Sequence, residues 1–290
     1  MQQTEKNRVL PGTLYLVSTP IGNLADLSER AIKVLSQVDF VAAEDTRNSG
    51  ILLSRLGIRR PMISYFEHNK RERGEEIAAR LKAGESCALV TDAGTPAVSD
   101  PGEDLVALCA SRGIRVSAVP GPVASITALT LSGLPTGRFC FEGFLPPVKS
   151  KRVSRLRELA GETRTLLFHE APHKLSRTLD DLAFVFGGNR KIAVCRELTK
   201  LNEEVLRTTL SEAAAYYKEN EPRGEFVLVV AGAPEKQNEQ GKTDLPLAEQ
   251  VLQYEREGLS RKDAIKRVAR ERSLPKNEVY QAVLAKEEPK

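Results

Sequence analysis

Over the first 121 residues, short apolar runs alternate with amphipathic stretches on a regular beat. The runs at 14–17, 40–43, 62–65, 87–90 and 116–119 have the length of buried strands, and the segments between them carry apolar residues at helical spacing. Gly57, Gly84 and Gly113 each close a helical stretch just before a strand, where a residue without a Cβ ends a helix at least cost. Five strands joined by helices predict a mostly parallel sheet covered on both faces. From Phe139 the rhythm changes. Strands are predicted at 139–144, 165–168, 191–195, 204–209 and 226–231, with helices at 150–159, 173–186 and 211–219. The strands around Cys195 and Leu206 leave no room for a helix between them, so this second sheet is predicted to be mixed. The pattern divides the chain into an α/β domain at 1–121, a second α/β domain at 122–235, a polar linker at 236–244 and a helical appendix at 245–290. In the appendix Ser260 and the Ser273-Leu274-Pro275 segment read as helix starts.

The fourth run leads into Thr91-Asp92-Ala93-Gly94-Thr95-Pro96-Ala97-Val98-Ser99-Asp100-Pro101-Gly102. Gly94 and Gly102 permit left-handed backbone or close approach, while Pro96 and Pro101 stiffen the turn. Asp100, Pro101 and Glu103 read as cap, first and third residues of the next helix. Asp92 and Thr95 lie where neither strand nor cap needs them, beyond the carboxyl end of a strand, which is where open α/β sheets bind ligands. The loop after the first strand lacks the Gly-x-Gly-x-x-Gly fingerprint, so a dinucleotide fold is not supported.

These residues resemble the signature loop of the tetrapyrrole methylase superfamily, in particular its members that methylate ribosomal RNA. Similar motifs recur in the family's order at Leu14-Tyr15-Leu16-Val17-Ser18-Thr19-Pro20-Ile21-Gly22-Asn23-Leu24, Ala43-Glu44-Asp45-Thr46-Arg47, Val119-Pro120-Gly121-Pro122 and Phe141-Glu142-Gly143-Phe144-Leu145-Pro146. Thr91 stands where the family usually has Ser, and both carry a hydroxyl. The resemblance implies two α/β domains with an S-adenosylmethionine (SAM) site in the cleft between them, and a small helical appendix. It further implies transfer of the methyl group to a cytidine ribose 2′-hydroxyl in small-subunit ribosomal RNA, free or in the assembled subunit, by a homodimer. The implied cofactor residues are Ile21; Asp92, Gly94, Thr95 and Pro96; Pro122, Val123, Ala124 and Ser125; and, from the second domain, Phe168, Glu170, Ala171, Glu197, Leu198, Glu225 and Phe226.

Composition narrows the partners. With 41% hydrophobic residues and no apolar run near 18 residues, the chain reads as globular rather than membrane-spanning. Residues 1–8 lack the apolar core of a secretory signal, so a cytoplasmic location is expected. Cys87, Cys109, Cys140 and Cys195 are far apart among apolar neighbours and read as buried free thiols. Among the three histidines only His169 and His173 are close, and no metal site is expected. The net charge of +4 permits a nucleic-acid partner without demanding one. Its distribution says more. Lys149, Lys151, Arg152, Arg155 and Arg157 follow Pro146-Pro147 with no acid among them, and read either as a solvated helix face or as a phosphate-facing surface. Arg261, Lys262, Lys266 and Arg267 give the appendix a basic face of the same kind.

A ribose hydroxyl is a poor nucleophile at neutral pH and benefits from a proton acceptor or a cation beside the developing oxyanion. Glu44, Asp45 and Arg47 beyond the second strand and His68 beyond the third are the candidates. Each has a plainer reading: helix capping for the two acids, an ion pair for Arg47, and a surface loop for His68. The cluster of Arg196, Glu197, Lys200, Glu203 and Glu204 reads equally as an ion-pair network. Two other functions remain open: methylation of a tetrapyrrole or another small molecule, and non-catalytic RNA binding.

Overall fold

The computed structural model describes residues 8–234, 245–272 and 274–287. Residues 1–7, the predicted linker at 236–244 with residue 235, Ser273 and residues 288–290 lie outside the described residues. The chain forms two compact units, 1–233 and 234–290.

The first half of the larger unit runs β1 (Thr13–Val17), α1 (Glu29–Gln37), β2 (Phe40–Ala43), α2 (Thr46–Arg55), β3 (Met62–Ser64), α3 (Lys70–Lys82), β4 (Cys87–Val90), α4 (Gly102–Ser111) and β5 (Arg115–Val119). The strands form one parallel sheet in the order β3-β2-β4-β1-β5. Strand alternation sorts their residues between two cores. Tyr15, Val17, Val41, Ala43, Ala88 and Val90 pack with α1 and α2. Leu14, Phe40, Ala42, Cys87 and Leu89 pack with α3 and α4. Helix α1 follows β1 on one face and α4 follows β4 on the other. Because β1 and β4 are neighbours, the chain parts between them and opens a crevice at their carboxyl ends.

The second half runs α5 (Ala124–Leu131), β6 (Phe139–Phe144), α6 (Lys149–Leu159), β7 (Thr165–Glu170), α7 (Pro172–Phe186), β8 (Lys191–Arg196), β9 (Glu204–Thr209), α8 (Leu210–Glu219) and β10 (Phe226–Val230). Its sheet, β6-β7-β10-β8-β9, is mixed: β6 and β7 are parallel and the other pairs antiparallel. Helices α6, α7 and α8 cover one face. The other face packs on α5, and Ile21 from the loop after β1 joins that core. Buried apolar contact therefore ties the first half's β1 loop directly to the second sheet.

The smaller unit holds α9 (Leu247–Arg256), α10 (Arg261–Arg272) and α11 (Lys276–Glu287). Ala264, Ile265, Val268 and Ala269 of α10 face a core completed by Val251, Val279 and Val283. The opposite face exposes Arg261, Lys262, Lys266 and Arg267. The Ser260 hydroxyl accepts the Asp263 amide, as its capping role predicts.

Candidate cofactor site

Two loops of the first sheet are stitched together at the crevice. Thr19 and Gly94 exchange backbone hydrogen bonds of 2.8 and 3.1 Å. The Ser18 and Thr95 hydroxyls meet at 2.8 Å, Thr95 Oγ1 donates to the Pro122 carbonyl at 3.2 Å, and Thr19 Oγ1 donates to the Thr91 carbonyl at 3.1 Å. Thr95 thus joins the segments that follow β1, β4 and β5, which explains a threonine there on structural grounds. Gly94 has φ +83°, and a Cβ on it would sit 3.4 Å from Ile21. Ala97 and Ser99 also hold left-handed backbone, φ 67° and 65°, an arrangement kept only where surrounding bonds enforce it. Asp100 supplies those bonds. Its carboxylate accepts the amides of Ala97, Val98 and Gly102, and the helix cap falls on Pro101 rather than on Asp100 as the sequence suggested.

Beyond this stitched wall lies a cavity of about 430 Å³, in the range of small-molecule sites. Ile21, Gly94 and Thr95 form one side. Val123, Ala124 and Ser125 at the start of α5 bring uncapped amides, and Glu170, Ala171, Leu198, Glu225 and Phe226 come from the second sheet. All eleven belong to the implied cofactor set. Five others do not line the cavity. Asp92 is exposed, with its carboxylate 3.1 Å from Asn48 Nδ2. Pro96 is buried, and the Pro122 carbonyl accepts the Thr95 hydroxyl. The Glu197 carboxylate takes the Lys200 ammonium at 2.8 Å and the Glu225 amide at 3.0 Å, and the Lys200 bond holds its carboxyl below the ordinary range. Phe168 is fully buried among α6, α7 and α8, so its assignment to the cofactor is corrected.

The neighbouring His169 takes that place, since residues along a strand face opposite ways. It lines the cavity with Phe141 and Phe144, and its ring meets theirs edge-on at 5.2 and 5.5 Å. Its Nε2 is buried without a partner, and burial, opposed by the charge of Glu225, holds the imidazole below its ordinary pKa. Phe141 and Phe144 were not among the residues the sequence singled out for the cofactor, whereas His169 lies within the turn from Phe168 to Ala171 that the resemblance implied. The alternation of β7 carried the signal for His169, because Leu167 two residues earlier faces the same side.

Glu44, Asp45, Arg47 and His68 are not among the cavity-lining residues. Asp45 caps α2, and hydrogen bonds from Arg47 hold its carboxyl at about 2, which makes it a poor proton acceptor. Glu44 accepts the Thr91 hydroxyl at 3.0 Å, so the start of α2 braces the opening of the signature loop. His68 is exposed with its ring edge-on to Phe66. Of the basic run, Lys149, Lys151 and Arg157 are exposed, while Arg155 is held by Glu142 and Glu158. Arg152 does not belong to that surface. It is buried, paired with Asp181 at 2.7 Å, and donates to the Pro146 and Pro147 carbonyls. In the smaller unit Arg267 lies 4.2 Å over the Tyr254 ring and pairs with Glu271, and Lys266 pairs with Asp263.

Cys87, Cys109 and Cys195 are buried, with their thiols pushed up by desolvation, and Cys140 is half-buried. Among the described residues no group of three or more His, Cys, Asp or Glu is placed to hold a metal ion, and no helix is long and apolar enough to cross a membrane.

Residues 13–214 match the family model of the tetrapyrrole (corrin/porphyrin) methylases, and the chain belongs to that family. Among curated relatives it is similar to ribosomal RNA small subunit methyltransferase I of Synechocystis sp., 47% identical over 94% of this chain and 98% of the relative. The protein of the same name from Bacillus subtilis is 44% identical over 93% and 94%. Among solved structures it is similar in fold to a cobalt precorrin-4 methyltransferase, with TM-score 0.57, 16% identity and coverage of 76% and 95%. A Thermus thermophilus uroporphyrin-III C-methyltransferase complexed with S-adenosyl homocysteine has TM-score 0.54 and 20% identity, covering 76% and 97%.

Proposed function

We propose that this chain is a SAM-dependent methyltransferase of small-subunit ribosomal RNA that methylates the ribose 2′-hydroxyl of a cytidine. The observation that carries the reading is the cavity at the carboxyl ends of β1 and β4. Its size suits SAM, the left-handed Gly94 leaves room for close backbone approach, and the uncapped start of α5 offers amides to a carboxylate. Near full-length similarity to proteins named for ribosomal RNA methylation directs the acceptor to RNA.

When bound, SAM supplies an electrophilic methyl group, and the displacement needs acceptor oxygen, methyl carbon and sulfur in line. The protein's part is to hold that alignment. The stitched loops fix the donor side. Glu44, Arg47 and His68 belong with the acceptor side in this reading, as groups at the rim and not in the donor pocket. Lys149, Lys151, Arg157 and the exposed face of α10 supply cations for the RNA backbone. Action in the cytoplasm and a homodimeric state complete the reading; light scattering that returns a single chain of 31.9 kDa would remove the dimer.

The experiment is transfer of labelled methyl from SAM to small ribosomal subunits that lack the modification, followed by digestion to nucleosides. Label in 2′-O-methylcytidine is the expected result. SAM binding with no label in RNA points to a tetrapyrrole or other small acceptor, and no SAM binding points to a non-catalytic RNA-binding protein.

A further inference from the structure

Strand β6 is irregular where it reaches the cavity. Phe141 pairs with Leu167 and Gly143 with Phe168, so one extra residue is accommodated between them, and Gly143 adopts φ +62°. In an unbroken strand Phe141 and Phe144, three residues apart, would face opposite sides of the sheet. The bulge turns both toward His169, and bulges commonly re-aim a side chain in this way.

The two rings fare differently. Phe141 is half-buried and packs against the core beneath the cavity, whereas Phe144 lines the cavity and remains 61% exposed. The bulge, not the regular strand, brings this exposed ring to the mouth of the cavity. Val148, 54% exposed, follows it, and then come Lys149 and Lys151, within about 25 Å of Phe144 even for a fully extended chain. Helix α6 has no acid in its first turn and no side-chain cap, so these cations stand where the helix dipole disfavours them. An exposed aromatic face at the mouth of a donor pocket, with uncompensated cations next to it, has the composition of a single-stranded RNA platform.

We propose that Phe144 is a stacking platform for an unpaired nucleobase of the RNA substrate, holding the target nucleotide, lifted out of its strand, at the mouth of the cavity. His169 acts as a positioning residue that fixes the ring edge-on from behind. The bulge at Gly143 sets the ring's direction, and Lys149 and Lys151 hold the adjoining backbone. The inference rests on the RNA reading above and adds to it the residue that captures the base.

The test compares the wild-type protein with Phe144→Leu, which keeps apolar bulk, and Phe144→Trp, which keeps a π-face. A cytidine-containing single-stranded oligoribonucleotide carrying 2-aminopurine beside the cytidine reports the lifting of that base by a rise in emission, because the probe loses its stacking neighbour, and calorimetry reports SAM affinity. Phe144→Leu is expected to weaken RNA binding about 5- to 100-fold, as loss of one base–aromatic stack does, and to abolish the rise in emission. Phe144→Trp should restore both, with SAM affinity unchanged in each variant. Equal RNA affinity for Phe144→Leu and wild type overturns the proposal while leaving the RNA reading intact. A loss of SAM binding in Phe144→Leu assigns the ring to the donor pocket and overturns it too. A Phe144→Leu defect seen with assembled subunits but never with the oligoribonucleotide makes the ring a protein-docking contact, and failure of the wild type to bind either RNA overturns this proposal together with the RNA reading.

Discussion

The two walls of the cavity are built by different means. On the first-sheet side the backbone does the shaping: Thr19 and Gly94 are bridged, Thr95 joins three loops, and Asp100 enforces the left-handed turns at Ala97 and Ser99. On the second-sheet side the shape comes from side chains, Phe141, Phe144, His169 and Phe226, standing on strand ends. A backbone wall needs particular residues at fixed positions, because glycine, proline and short hydroxyl side chains have conformational or bonding roles that others cannot fill. A side-chain wall needs only the right face of a strand, and here the Phe141 to Pro146 motif supplies two of its rings. Both walls contribute residues to the donor pocket, and only the exposed Phe144 at its mouth faces outward to an acceptor.

The largest expected effect strikes the frame of the second wall. Arg152 holds the Pro146-Pro147 turn that ends the Phe144 segment and pairs with buried Asp181. Asp181→Ala leaves that guanidinium buried and uncompensated and should cost about 3–5 kcal/mol by urea unfolding. A change under about 1 kcal/mol would return Arg152 to the surface charges.

The first wall breaks at Gly94. Gly94→Val adds branches at φ +83° against Ile21, and the strain is expected to weaken SAM binding about 10- to 100-fold by calorimetry and to lower the melting temperature by a few degrees. Undiminished affinity would place the donor elsewhere.

A smaller effect separates donor from acceptor. Lys149→Glu with Lys151→Glu should leave SAM affinity alone and flatten the dependence of log RNA affinity on log salt by about 0.7 for each lost phosphate contact. An unchanged slope would mark the run as a plain solvated face.

The smallest concerns pH. The folded His169 has a lowered pKa, so the unfolded chain binds a proton that the folded chain refuses. Its contribution is present above the ordinary histidine value of about 6.5 and is lost as pH falls from there through the lower folded value. Wild-type stability should decline over that interval more steeply than that of His169→Phe, measured by unfolding at each pH; parallel curves would contradict the assignment.

The same contrast explains what the sequence disclosed. All ten strands and the mixed second sheet were readable because buried strands are short apolar runs whatever they surround. Gly57, Gly84 and Gly113 are left-handed as their positions implied. Of the first-half motif residues, Ile21, Gly94 and Thr95 line the cavity while Asp92, Pro96 and Pro122 do not, and the cap register differs because Asp100 bonds back into its own loop and the helix starts after Pro101. Phe144 was hidden because the bulge reverses the face that alternation assigns to it. Arg152 was hidden because a run of cations looks alike whether one member is buried or none is, and only Asp181 on another helix distinguishes it. Phe168 came in with its turn by local similarity, where strand alternation from Leu167 separates it from His169.

The division between the donor-binding loop at Gly94 and the acceptor-side ring of Phe144 is tested most directly by titrating SAM calorimetrically into wild type, Gly94→Val and Phe144→Leu. The account predicts one SAM per wild-type chain, weakened by Gly94→Val and unchanged by Phe144→Leu. Equal losses in both variants, or full affinity in both, would contradict it.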